Sequence, residues 1–182
     1  MSNSPVPAYV DSRKVFLQQA EIEGTVPLER LARFRESLAT DVADVQVKLR
    51  FSTNQSKQQL ISGGLVATVE VTCQRCLEPM RIELADNINL ALLSDEALVA
   101  GLDPDLDPWI CQNTKLDLAS LVEEQLMLCM PIVNYHPGEN CLDKLGYKVT
   151  ESGTKVTASE TGGSEAGKDA ANPFAVLKTL KK

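Results

Sequence analysis

A chain of 182 residues with 43% hydrophobic content can bury one ordinary core, and no run in it approaches the roughly 20 apolar residues that cross a membrane. Aromatics make up only 4% and the formal net charge is −7, which argues against a broad base-stacking platform and against bulk attraction to phosphate. Five cysteines, an odd number, and a start without the basic and apolar regions of a secretory signal read as a cytoplasmic chain whose thiols are free or hold metal.

Asp11 or Ser12 is placed to cap a short helix through Ala20, and residues 20–26 then alternate as an edge strand. Pro27 suits the first turn of a second helix, because the N–H it lacks would be unpaired there anyway. Leu28, Leu31, Ala32, Arg35 and Leu38 make its inner stripe, with Glu29 and Arg33 paired outside at i,i+4. Val45, Val47, Leu49 and Phe51 alternate with Gln46, Lys48 and Arg50 as a half-buried strand, followed by a polar turn from Ser52 to Lys57. The next strand runs from near Gln59 to Thr72, and Gly63-Gly64 predict a bulge or bend in it. Met80, Ile82 and Leu84, then Ile88, Leu90 and Leu92, continue the alternation. Three or four strands thus make an antiparallel meander.

Charge is uneven along the chain: the balance is +1 over residues 1–81, −9 over 82–149 and +1 over 150–182. From Ile82 to Thr114 there is no Lys or Arg, while Glu83, Asp86, Asp95, Glu96, Asp103, Asp105 and Asp107 are all acidic. Two prolines and three aspartates in 103–108 predict a loop. It lacks the glycine and the distal glutamate of a calcium loop, so a solvated acidic surface is the better reading. Leu116 to Met130 reads as a long helix ended by Pro131, with Leu118, Leu121, Val122, Gln125, Leu126 and Cys129 inside and Glu123 and Glu124 outside. Cys129 and Cys111 read as packing residues.

Residues 150–171 are rich in Ser, Thr, Gly, Ala, Glu and Lys and read as a flexible linker. Residues 172–182 form a short amphipathic segment: Asn172 is a good cap, Pro173, Val176, Leu177 and Leu180 make one stripe, and Lys178, Lys181 and Lys182 close it. The chain is therefore predicted to be a single α+β domain over 1–149, an antiparallel β-meander packed with two main helices and followed by a flexible tail. So short a helix does not hold alone and has to find a surface, either the protein's own sheet or a partner; the long tether without apolar anchors and the closing lysines favour docking on a partner.

The chemistry-bearing motif is Cys73-Gln-Arg-Cys76, set between two strands where a hairpin turn can aim two thiolates at one point. Two intervening residues is the spacing of a zinc knuckle. The chain's one histidine follows the long helix in His136-Pro-Gly-Glu-Asn-Cys141. If the two loops meet, Cys73, Cys76, His136 and Cys141 form a tetrahedral site for a structural zinc. A redox C-x-x-C normally opens a helix, and this one does not. No nucleophile elbow, phosphate loop or dinucleotide fingerprint is present, so no reaction is announced.

Gly24-Thr-Val-Pro27, Cys73-Gln-Arg-Cys76, the block from Leu121 to Pro131 with His136 and Cys141, and Asn172-Pro-Phe-Ala-Val-Leu177 together resemble the YceD family, the large ribosomal RNA subunit accumulation proteins of bacteria. The resemblance spans nearly the whole chain. It implies a non-enzymatic role in the synthesis, processing or stability of large-subunit (23S) ribosomal RNA. It also implies that many relatives carry cysteine where His136 stands, an exchange between zinc ligand types that favours metal. The partners expected are ribosomal precursor RNA, basic large-subunit ribosomal proteins, or both, with neither a membrane nor a small-molecule substrate. Two other readings are a module binding precursor RNA directly through Arg30, Arg33, Lys48 and Arg50, and a zinc-stabilised protein-interaction domain unrelated to ribosomal RNA.

Overall fold

The computed structural model describes residues 4–137 and Cys141, all within a compact unit spanning Met1–Lys148. The expected linker and the 172–182 segment lie outside the described residues. In chain order the elements are β1 (Tyr9–Asp11), α1 (Ser12–Leu17), β2 (Glu21–Thr25), α2 (Ala32–Glu36), β3 (Ala43–Thr53), β4 (Gln59–Thr72), β5 (Pro79–Leu93), β6 (Asp107–Ile110), β7 (Lys115–Asp117) and α3 (Leu118–Cys129). The architecture is α+β.

Strands β2 to β5 pair in sequence order as an antiparallel meander, as the period-two patterns predict. Their alternation puts Val45, Val47, Leu49 and Phe51 of β3 and Ile61, Leu65, Ala67, Val69 and Val71 of β4 on one buried face. Phe16 of α1, Phe34 of α2 and Leu121, Val122 and Leu126 of α3 complete that core, and the Phe16 ring meets Phe51 edge-on at 5.4 Å. Burying one such side chain stabilises by about 1.5–3 kcal/mol. Asp11 caps α1 by accepting from the Arg13 N–H at 3.0 Å, and Asp117 caps α3 by accepting from Ser120 N–H at 3.0 Å.

Four features differ from the sequence expectation. First, the edge of the sheet is extended by β6, which runs parallel to β5 with Asp107 opposite Leu90 and Ile110 opposite Leu93. Asp107 and Pro108 are therefore strand residues, and only the turn before them is loop; a proline is tolerated because β6 is an edge. Second, Leu116 and Asp117, expected to open the long helix, belong instead to the short strand Lys115–Asp117, which pairs with β1. Third, the helix expected from Pro27 is broken. A 3-10 turn over Leu28–Arg30 ends at Leu31, whose φ of −117° and ψ of 61° lie outside the helical region, and α2 restarts after it.

Fourth, Gly63 and Gly64 make no bulge: the β3–β4 register is continuous from Ala43 opposite Val69 to Thr53 opposite Gln59. Gly63 is needed because β3 crosses so close that a Cβ there would overlap the Lys48 carbonyl oxygen. Gly63→Ala must push one backbone away from the other. It is expected to destabilise by about 2 kcal/mol, typical of an overfilled site, read as a lower urea midpoint at unchanged slope. Gly64→Ala, with a contact no nearer than 3.4 Å, is the control and should change little.

Among the described residues, no helix is long and apolar enough to cross a membrane.

Candidate metal centre

The turn that joins β4 to β5 is built as a knuckle. Cys73 N–H donates to the Glu78 carbonyl at 2.9 Å and Leu77 N–H donates back to the Cys73 carbonyl at 2.9 Å. Closing so tight a turn forces Leu77 to a φ of 62°, the left-handed region that glycine usually fills. Cys73 is fully buried and Cys76 nearly so, with both sulfurs inside the turn.

The second piece of chain arrives from α3. Met130 leaves the helix in extended conformation, Pro131 prevents its continuation, and residues 131–136 run back against the knuckle. Gln74 N–H donates to the Asn134 carbonyl at 2.8 Å. Gln74 Nε2 donates to the Ile132 carbonyl at 3.3 Å, and the Arg75 guanidinium sits 4.3 Å from the centre of the Tyr135 ring. His136 Nδ1 then lies 3.4 Å from Cys76 Sγ.

The ligand atoms of Cys73, Cys76, His136 and Cys141 all lie within 4.8 Å of one another. Zinc–sulfur bonds of about 2.3 Å in a tetrahedron place sulfurs about 3.8 Å apart, so the widest pair needs to close by about 1 Å. Three thiols and one imidazole at this spacing form a cluster that can hold a metal ion. Among the described residues no other group of three or more such donors converges; the aspartates of the 103–107 turn do not. Asp103 instead accepts from the Asp105 N–H at 3.1 Å.

The electrostatics favour a thiolate at one ligand. Burial pushes the Cys73 thiol up, but donation to its sulfur from the backbone N–H groups of Cys76, Arg75 and His136, and from the Cys76 thiol, brings it down to about 6. The Glu78 N–H favours the charged form of Cys76, yet burial together with the neighbouring Cys73 and Cys141 sulfurs pushes that thiol up. One negative charge is thus accepted readily and a second only with a cation. Burial, then the charge of Asp86, pushes up the Cys129 thiol, which donates to Leu126 O at 3.3 Å. Cys111 donates to Asn113 O at 3.1 Å. Both sit away from the cluster, as packing residues do.

Sequence reasoning missed what surrounds the ligands. Gln74 and Arg75 read as spacers, yet each grips the segment before the histidine, and no periodicity or propensity signals that. The rim is apolar and open: Ile132 is 94% exposed and Leu77 74%, with Val133 and Tyr135 about half exposed.

The cations proposed for RNA contact are engaged locally. Arg30 Nη1 donates to the Val6 carbonyl at 2.7 Å. Arg33 pairs with Glu124 at 2.6 Å, Lys48 with Glu23 at 3.3 Å and Arg50 with Glu21 at 2.7 Å. The expected Glu29–Arg33 pair is replaced by Arg33–Glu124, because the broken helix turns Arg33 towards α3. Glu123, expected on a solvated face, is 8% exposed and accepts from the backbone N–H groups of Arg33 at 2.8 Å and Phe34 at 3.2 Å. Glu123 takes the Arg33 and Phe34 backbone donors while Glu124 takes the Arg33 guanidinium, so the two adjacent glutamates serve separate groups.

A family model described as Large ribosomal RNA subunit accumulation protein YceD matches residues 61–181, from β4 through the metal-binding candidates and on towards the C-terminus. A curated Haemophilus influenzae protein, Large ribosomal RNA subunit accumulation protein YceD, is 27% identical over 185 residues, which cover 100% of this chain and 99% of that protein. No solved structure gives a significant match.

Proposed function

The chain belongs to the YceD family of large ribosomal RNA subunit accumulation proteins, and from that premise we propose that it is a non-enzymatic cytoplasmic factor for large-subunit (23S) ribosomal RNA, acting through a basic large-subunit ribosomal protein. The observation that carries the protein-partner reading is the placement of charge. Arg30, Arg33, Lys48 and Arg50 are each engaged by a neighbour. Among the described residues, none of the seven carboxylates between Glu83 and Asp107 is in an ion pair. A basic partner gains from that unpaired belt, whereas a phosphate backbone is repelled by it. In this reading zinc is the ion held by Cys73, Cys76, His136 and Cys141, and its part is structural, with all four positions supplied by the protein. The 172–182 segment supplies a second attachment to the same assembly.

Capture of tagged protein from exponentially growing cells, with precursor ribosomal RNA and ribosomal proteins both scored, tests the partner. Ribosomal proteins retained after ribonuclease treatment support the reading. Their loss on ribonuclease treatment, with precursor RNA bound directly by purified protein, favours the direct RNA-binding alternative. In a deletion strain, mature large-subunit RNA is expected to fall relative to small-subunit RNA while transcription of their shared precursor continues. Equal mature amounts, in the cold as well, would overturn the ribosomal role.

A further inference from the structure

The four candidate ligands come from two stretches of chain some 60 residues apart, and something has to bring the second to the first. Burial does not do it: Ile132 and Val133 are exposed, and Tyr135 is half exposed. Hydrogen bonding within the segment is slight, with Asn134 Nδ2 reaching Pro131 O only at 3.5 Å. Beside the His136 N–H donated to the Cys73 sulfur, what holds the residues before the histidine is the pair between the two cysteines. Gln74 takes the Asn134 and Ile132 carbonyls, and Arg75 lies over the Tyr135 ring. Each contact falls on one of the residues directly preceding His136.

We propose that Gln74, Arg75, Asn134 and Tyr135 form a clasp that closes before any ion binds and sets His136 against the thiols, making Arg75 and Tyr135 positioning residues for the metal centre. This rests on the metal-centre reading above. The physical reason is preorganisation: a segment this exposed otherwise samples many backbone conformations, and metal affinity falls by the fraction of time His136 is out of place. A guanidinium over a phenol ring at 4.3 Å is within cation–π range. The planar stacking is particular to arginine, so lysine does not reproduce it in full. The ring, and not the phenol oxygen, makes the contact, so phenylalanine should replace tyrosine without loss.

The test uses full-length protein and two readouts. Zinc affinity is measured by competition with a chromophoric chelator. Tyr135→Ala and Arg75→Ala are expected to bind zinc about 10- to 100-fold more weakly, the range seen when groups that orient ligands are removed. Tyr135→Phe should match the wild type and Arg75→Lys should fall between. All four proteins should melt at nearly the same temperature once zinc has been removed, which a general structural lesion would not allow. The second readout needs no metal: amide exchange of Gln74 in the zinc-free protein, protected in the wild type and Tyr135→Phe and fast in Tyr135→Ala. Wild-type zinc affinity in Tyr135→Ala, or a Gln74 amide that still resists exchange in that variant, overturns the clasp. So does fast Gln74 exchange in the zinc-free wild type. A wild type that takes up no zinc defeats the metal-centre reading, and the amide readout alone then decides whether the clasp exists.

Discussion

Cys73→Ala is expected to melt about 10 °C or more below the wild type, and a zinc chelator is expected to produce the same fall in the wild type without adding to the loss in the variant. Metal binding that is absent from the unfolded chain appears directly as folding free energy, and in a domain of this size even a few kcal/mol of it moves the midpoint by that much. The core under the sheet is independent of the knuckle, so the protein should stay folded at room temperature, unlike a small zinc finger. What it loses is the tie between the end of the β4–β5 hairpin and the segment after α3. Calorimetry with and without chelator reads the effect, and zinc content by elemental analysis accompanies it. Cys129→Ala is the control: that sulfur is half-buried on α3 and outside the cluster, so its shift should be far smaller and indifferent to chelator. No zinc in freshly purified protein, or a wild type whose melting ignores the chelator, would remove the metal from the account.

The second large effect is expected at Glu123→Ala. The carboxylate is nearly buried and supplies the acceptor for two backbone donors, Arg33 N–H and Phe34 N–H, at the restart of the broken helix. Helix starts leave such donors without internal partners. No side chain at Leu31 caps them, so a residue about 90 positions away does. Removing it strands them beside Phe34, itself fully buried. An unsatisfied buried donor costs about 1–3 kcal/mol, so a loss of about 3 kcal/mol is expected by urea unfolding. Glu123→Gln keeps an acceptor oxygen and should recover most of it. Glu124→Ala, which breaks only an exposed ion pair with Arg33, should cost under about 1 kcal/mol. Equal losses at the two positions would show that charge, and not backbone capping, is what Glu123 contributes.

Glu123 also shows where the sequence stops being legible. The inner stripe of α3 could be read from its period because Leu118, Leu121, Val122, Gln125 and Leu126 recur at helical spacing, and all are buried. Glu123 falls outside that stripe; what buries it is α2, packed against α3 from far away in the chain. The strands of the meander were legible for the same reason as the stripe, since one apolar face imposes strict alternation on β3 and β4. Strand β6 was not, because four residues that include Asp107 and Pro108 carry no pattern and its pairing is decided by the edge of β5. The convergence of Cys73, Cys76, His136 and Cys141 could be anticipated because metal-ligand chemistry restricts candidates to few residue types at short spacings. Gln74, Arg75 and Leu77 could not: any residue satisfies the motif at those positions, and only the folded contact gives them a role.

The β1–β7 pairing has a consequence in time. Tyr9 is opposite Asp117, about 110 residues later, whereas each step of the meander from β2 to β5 joins neighbours in the chain. At about 5–20 residues per second of synthesis, β1 waits roughly 5 to 20 s for its partner strand. Over that interval β2 to β5 can already be paired, with the part of their apolar face on β4 and β5 that α3 packs against still uncovered because α3 has yet to emerge. Closure by β7 and α3 therefore comes last on the nascent chain. If refolding in solution follows the same order, substitutions in β1 or β7 should accelerate unfolding while leaving the folding rate nearly unchanged, and those in the β3–β4 ladder should slow folding itself.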